Sequence, residues 1–339
     1  MTTPRRTQIS LDDTPYYHCI SRCVRRAFLC GKDRYSGQDF SHRRQWLLDR
    51  IKQVAAAFAV DIAAYAIMNN HYHLVLRVDR KQAQSWTDHE VIERWCTLFR
   101  GPLLVQGYLC GEALSAAEGE TVSAIAGVWR KRLMDISWYM RCLNEYVARQ
   151  ANREDGCTGR FWEGRFKAQA LLDDRAVLSC MAYVDLNPVR AGLAQGLTDS
   201  DFTSIQERLW ELSDRQQRAQ EPEVDVHTST ASLLPFTGAQ AGAGMGTQLP
   251  VTLRAYIELV DWTGRVVRAD KRGAIARDAP PALRALQLDS DQWLELTLDV
   301  QRRSVQAVGH PAALARFNQA RGRRWSNGQS MLGRVYGSP

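Results

Sequence analysis

Along the first part of the chain, hydrophobic positions switch between a period of two and a period near 3.6. Tyr16-Tyr17-His18-Cys19-Ile20-Ser21-Arg22-Cys23 predicts a first strand, with a basic turn after it. From Phe40 to Phe58, the residues Trp46, Leu47, Ile51, Val54, Ala55 and Phe58 fall near helical spacing and predict a helix. Val60 to Ile67 reads as a second strand. Asn69-Asn70 is a turn signal, and His71-Tyr72-His73-Leu74-Val75-Leu76-Arg77-Val78 is a third strand, so the two should form an antiparallel pair. Thr87 to Phe99 looks helical, and Gly101 to Lys131, weakly patterned and interrupted by glycines, reads as an insertion on the core. Leu133 to Asn152 predicts a helix with Ile136, Met140, Leu143, Tyr146 and Val147 on one apolar stripe.

The rest divides the same way. Cys157 to Lys167 is a basic, aromatic loop before the apolar run Ala168 to Leu172, and Asp173-Asp174 can cap a helix from Ala176 to about Leu186. Ser204 to Leu212 is a short amphipathic piece. Gln216 to Pro250, polar and then rich in Gly, Ala, Ser and Thr, has the composition of a flexible linker. Beyond it, Tyr256 to Val267 is strongly apolar and Ser290 to Val308 is helix-like.

Three of these stretches carry chemistry. Side chains two apart on a strand leave the same face, so His71 and His73 point together and Tyr72 points away. Two imidazoles so placed can hold one divalent cation if a third ligand arrives from elsewhere, although a single buried or surface His has many plainer uses. Tyr183 and Asn187 are four apart and share a helix face if the helix runs that far; Pro188 pushes Asn187 to its end. In the loop, Arg160, Trp162, Arg165 and Lys167 could stack bases and grip phosphates, while Phe161, Trp162 and Phe166 could equally close the core.

Composition narrows the setting. The 339 residues carry a net charge of +7, and Gln301 to Pro339 holds arginines and no acid, while Arg5, Arg6, Arg22, Arg25 and Arg26 crowd the other end. That distribution suits a polyanionic partner, or a solvated tail. No apolar run is long enough to span a membrane and no secretory leader is evident, so a cytoplasmic protein with no membrane partner is expected. The eight cysteines are scattered as reduced thiols would be, with Cys19, Cys23 and Cys30 the one cluster that could be imagined around a metal.

The segments Met68-Asn69-Asn70-His71-Tyr72-His73-Leu74, Gly159-Arg160-Phe161-Trp162-Glu163-Gly164-Arg165-Phe166 and Tyr183-Val184-Asp185-Leu186-Asn187-Pro188-Val189-Arg190-Ala191-Gly192 together resemble the single-tyrosine HUH transposases, in the branch of the REP-associated tyrosine transposases. The resemblance covers about residues 15–193. It implies an α+β fold with a ferredoxin-like antiparallel sheet and helices, extended here by a small, mostly helical C-terminal appendage. It implies His71, His73 and Asn187 as ligands of Mg2+ or Mn2+, and Tyr183 as nucleophile, with Tyr146 the rival. It also implies Arg160, Trp162, Arg165, Lys167 and Arg190 at single-stranded or hairpin DNA. A phenol ordinarily titrates near pH 10 and attacks poorly at pH 7, so the metal or a cation such as Arg190 would have to assist. The implied reaction is strand cleavage and transfer through a 5′-phosphotyrosine, by a monomer or homodimer. The alternative is a hairpin-binding protein with an idle site, and a metallohydrolase using the His pair would want further ligands. The expected organisation is a transposase-like domain over 1–214 with an insertion near 101–131, a linker over 215–250 and a basic region over 251–339.

Overall fold

The computed structural model describes residues 7–24, 29–32, 37–218, 233–237, 248–269, 279–301 and 305–337. The arginines at positions 5, 6, 25 and 26 and most of the linker lie outside them.

The chain runs β1 (Tyr16–Arg22), α1 (Arg43–Ala57), β2 (Val60–Ile67), β3 (His71–Val78), α2 (Arg80–Ser85), α3 (Asp88–Cys96), α4 (Leu103–Leu109), α5 (Ala116–Leu133), α6 (Ile136–Glu154), β4 (Lys167–Leu171), α7 (Asp174–Asp185), α8 (Asn187–Arg190), α9 (Ser204–Arg218) and α10 (Leu253–Ala269). Then follow α11 (Pro281–Ala285), α12 (Ser290–Leu294) continuing as a π-helix over Glu295–Val300, β5 (Ala307–Val308), α13 (Pro311–Gln319) and α14 (Gln329–Tyr336). The fold is α+β. Its five strands are ordered β2-β3-β1-β4-β5, with every neighbouring pair antiparallel except β4 and β5. The first four strands, with α1 and α6 as crossovers, make the split β-α-β arrangement of a ferredoxin-like sheet.

The predicted turn at Asn69-Asn70 closes the β2–β3 hairpin, where Met68 N–H donates to the His71 carbonyl. Alternation then sorts β3 between two faces. Tyr72 points at α6, its hydroxyl donating to Asn144 at 2.7 Å, and Ser21 of β1 joins it on that face. His71 and His73 point the other way. Helix α1 is tied to the end of α6 through Arg43, whose side chain is only 1% exposed and pairs with Glu154 and Asp155. Arg43→Leu strands two carboxylates that keep partial access to water. The loss should be about 3 kcal/mol, the low end for breaking a buried pair, read as a lower urea midpoint.

Several expectations are corrected. The stretch read as an insertion is more ordered than its weak pattern suggests: it holds α4 and most of α5, with Trp129 of α5 stacked on Trp95 of α3 at 5.2 Å. Glycines dilute its period, but Ser115 and Glu118 form a reciprocal capping box that starts α5. The end of the helix-like stretch to Val308 is a strand, β5, which extends the sheet. Within the linker, Leu233 and Leu234 are buried and Leu234 N–H donates to the Ile62 carbonyl at 2.8 Å, so that part is fixed to β2.

The described part of the basic C-terminal stretch is packed rather than frayed. Arg321 lies over the Phe317 ring and pairs with Asp13 at 2.6 Å. Asp173, which caps α7 as predicted, also accepts from His310 N–H and from the Tyr336 hydroxyl, at 2.5 and 3.0 Å. Helix α10 docks on the core through Tyr256, whose hydroxyl donates to the buried Asp185 at 2.6 Å.

Candidate active site

The His71–His73 face of β3 is covered by α7, and the two rings meet with centroids 4.9 Å apart. His73 is 3% exposed and lies 5.8 Å, centroid to centroid, from the ring of Tyr183 on α7. The Tyr183 side is completed by Arg190, whose guanidinium carbon sits 4.4 Å from the centre of the phenol ring. Two of the Arg190 nitrogens, Nε and Nη1, are buried and have no hydrogen-bond partner among the described residues.

Asn187 follows α7 by one residue and opens α8. The proline does not carry it away: its side-chain nitrogen donates to the Tyr183 carbonyl at 3.1 Å, as the shared face requires. The amide nitrogen being used, the Oδ1 atom is the one with lone pairs to offer. His71 Nδ1 donates to Asn70 Oδ1 at 2.6 Å, which leaves its Nε2 unprotonated. His73 Nε2 is buried with no partner among the described residues. The free His71 Nε2, the unpartnered His73 Nε2 and an amide oxygen are donor types that suit a divalent cation with open positions. Among the described residues, no group of three or more His, Cys, Asp or Glu side chains is placed to hold a metal.

A third histidine, which sequence reading passed over, belongs to the site. His18 of β1 places Nε2 2.9 Å from His73 Nδ1, and its ring centroid is 6.2 Å from that of Tyr183. The signal was there in part, since His18 shares strand parity with Ile20. What the sequence could not supply is the register, which sets Ile20 opposite His73.

Burial pushes His18 and His71 down to about 4, and lowers His73 well below the ordinary imidazole range, with the cationic Arg190 and Arg22 adding to the effect. Neutral rings are the form that binds metal. They also make the fold acid-sensitive: the unfolded chain takes up protons near pH 6.5 that the folded rings refuse until about 4, so stability is lost as pH falls through that window. Asp185 opposes them. Burial raises it to about 6, so its contribution is greatest in acid and is lost as pH rises through 6. Asp185→Asn therefore steepens the acid loss between pH 6.5 and 4 by about 3 kcal/mol, measured from urea midpoints along a pH series.

The other candidates are distributed as follows. The loop before β4 passes the His71 end of the sheet: Arg22 pairs with His71 across β1–β3, and Glu163 N–H donates to the Arg22 carbonyl at 2.9 Å. Arg160, Arg165 and Lys167 are exposed there. Trp162 is turned into the fold instead, its indole N–H donating to the Asn144 carbonyl at 2.8 Å and its ring set edge-on to Tyr72.

Tyr146 does not fill the core role its stripe suggested. It is 38% exposed on α6, with Arg50 stacked on its ring, and lines a groove of about 510 Å³ with Arg141, Arg149 and Arg153. That helix covers the Tyr72 face of the sheet, away from the histidines. Cys19, Cys23 and Cys30 are buried, and burial pushes the Cys30 thiol up to about 12, against thiolate formation. No helix among the described residues is long and apolar enough to cross a membrane.

No protein-family model and no curated protein matches the chain. Among solved structures it is similar to one described as the REP associates tyrosine transposase bound to a REP hairpin, at 15% identity and a TM-score of 0.35, over 68% of this chain and 98% of that one. A likeness of that depth says nothing of this chain's activity.

Proposed function

We propose that the chain is a metal-dependent endonuclease and strand transferase acting on single-stranded, hairpin-forming DNA, with Tyr183 as nucleophile. The observation that carries this reading is the packing of Tyr183 between Arg190 and His73, beside the unpartnered Nε2 of His73. A phenol held against a guanidinium and a pair of buried imidazoles is an unusual core element.

In the proposed reaction the Tyr183 oxygen attacks a backbone phosphorus, the P–O3′ bond breaks, and the net proton passes from the phenol to the departing 3′-oxygen. One phosphodiester is exchanged for another, so the reverse attack by a 3′-OH rejoins strands with no energy cofactor. His71, His73 and Asn187 would hold Mg2+ or Mn2+, which supplies charge to the scissile phosphate when bound. Arg190, stacked on the ring, would offer its unpartnered nitrogens to the phosphate. Arg160, Arg165 and Lys167 would steer the backbone along the His71 end of the sheet.

The test is a denaturing gel of the protein with Mn2+ and end-labelled hairpin DNA from the flanks of its own gene. The reading expects a labelled band that survives denaturant. Binding without such a band would favour a hairpin-binding protein with an idle site.

A further inference from the structure

Behind His73 a single row of hydrogen bonds crosses the sheet to the C-terminal segment. His18 on β1 contacts His73 Nδ1 through Nε2 at 2.9 Å, and its own Nδ1 lies 3.4 Å from Gln169 Oε1. His18 and Gln169 are direct partners across β1 and β4. Gln169 Nε2 then reaches the main-chain carbonyl of Val305, just ahead of β5, at 3.1 Å. His18, His73 and Gln169 are all buried.

The polarity of this row is set from its far end. The Val305 carbonyl can only accept, so it takes an amide N–H of Gln169 and leaves Gln169 Oε1 for His18. That oxygen also only accepts, so His18 carries its proton on Nδ1. Both rings are buried, where a charged imidazolium is disfavoured, so each carries one proton. His18 Nε2 therefore accepts, the proton of His73 sits on Nδ1, and the unpartnered Nε2 of His73 is a lone pair.

We propose that the C-terminal segment fixes the tautomer of His73: the Val305 carbonyl, acting through Gln169 and His18, makes Nε2 the nitrogen offered to the cation. His18 and Gln169 are then positioning residues, and the region after 251 serves the site without contributing a ligand to it. This rests on the reading of His71 and His73 as metal ligands. Partners of this kind typically govern metal affinity by 10–100-fold.

The experiment uses the full chain with ring-15N histidine. Spectra of the metal-free protein should show His73 protonated on Nδ1, and His18→Leu should lift that preference. Mn2+ affinity, followed by the electron paramagnetic resonance of free Mn2+, should fall about 10–100-fold in His18→Leu and in Gln169→Leu. His18→Gln should restore it, because a glutamine oxygen can accept from His73 while its amide donates to Gln169. A wild-type His73 protonated on Nε2, or a folded His18→Leu protein that binds Mn2+ as wild type does, overturns the proposal. Should His18→Leu fail to fold, the wild-type spectrum decides alone. His71→Ala separates the two layers: unchanged Mn2+ affinity there sinks the ligand assignment, while the metal-free spectrum still reports on the row.

Discussion

Tyr183→Phe is expected to abolish covalent capture of hairpin DNA and to leave the affinity for that DNA nearly unchanged. The substitution removes one oxygen. The ring that packs against His73 and His18 and lies under Arg190 stays in place, so neither the fold nor the cation site loses its wall. In the proposed reaction the phenol oxygen forms the bond to phosphorus, so the expected loss is complete rather than graded, and longer incubation should not recover it. A labelled band that persists in the variant would move the nucleophile elsewhere. Tyr146 is then the first residue to replace, although it sits on the helix that covers the opposite face of the sheet.

His73→Ala has the second large effect. It removes a buried Nε2 with no partner among the described residues and the group that meets His18, so the proposed cation site would lose a ligand and the row behind it its end. Mn2+ affinity should drop by more than about 100-fold, beyond what loss of a supporting partner costs, and strand cleavage should fall with it. Hairpin binding at low salt should survive, since the proposal places it on the exposed Arg160, Arg165 and Lys167. Retention of metal-stimulated cleavage by the folded variant would show that His73 is a satisfied core histidine and no more.

How far these residues could be found from the sequence depends on the range of the interaction involved. The strand periods gave His71 and His73 a common face, and the capping aspartates placed the start of α7, because both are local signals within one element. Tyr183 and Asn187 were legible as an i, i+4 pair, and the hydrogen bond between them is that local geometry. His18 and Gln169 were not, because their role follows from strand register between segments about 150 residues apart. Tyr146 was misplaced for a related reason. Its helix position suits the apolar stripe, but α1 brings Arg50 onto the ring and leaves it at the edge of a basic groove. The C-terminal region was hardest, since a two-residue strand carries no period, and its docking depends on Asp173 and Asp185, which in sequence read as a cap and an ordinary acid.

The most direct measurement of the central claim is mass spectrometry of the covalent product. The protein is allowed to react with hairpin DNA and Mn2+, the DNA is trimmed with nuclease, and the peptides are sequenced by fragmentation. A 5′-nucleotide remnant on the peptide containing Tyr183, localised to that phenol, is the predicted result. The same remnant on Tyr146 or on any other residue, or a cleaved strand with no protein-linked nucleotide at all, would contradict it.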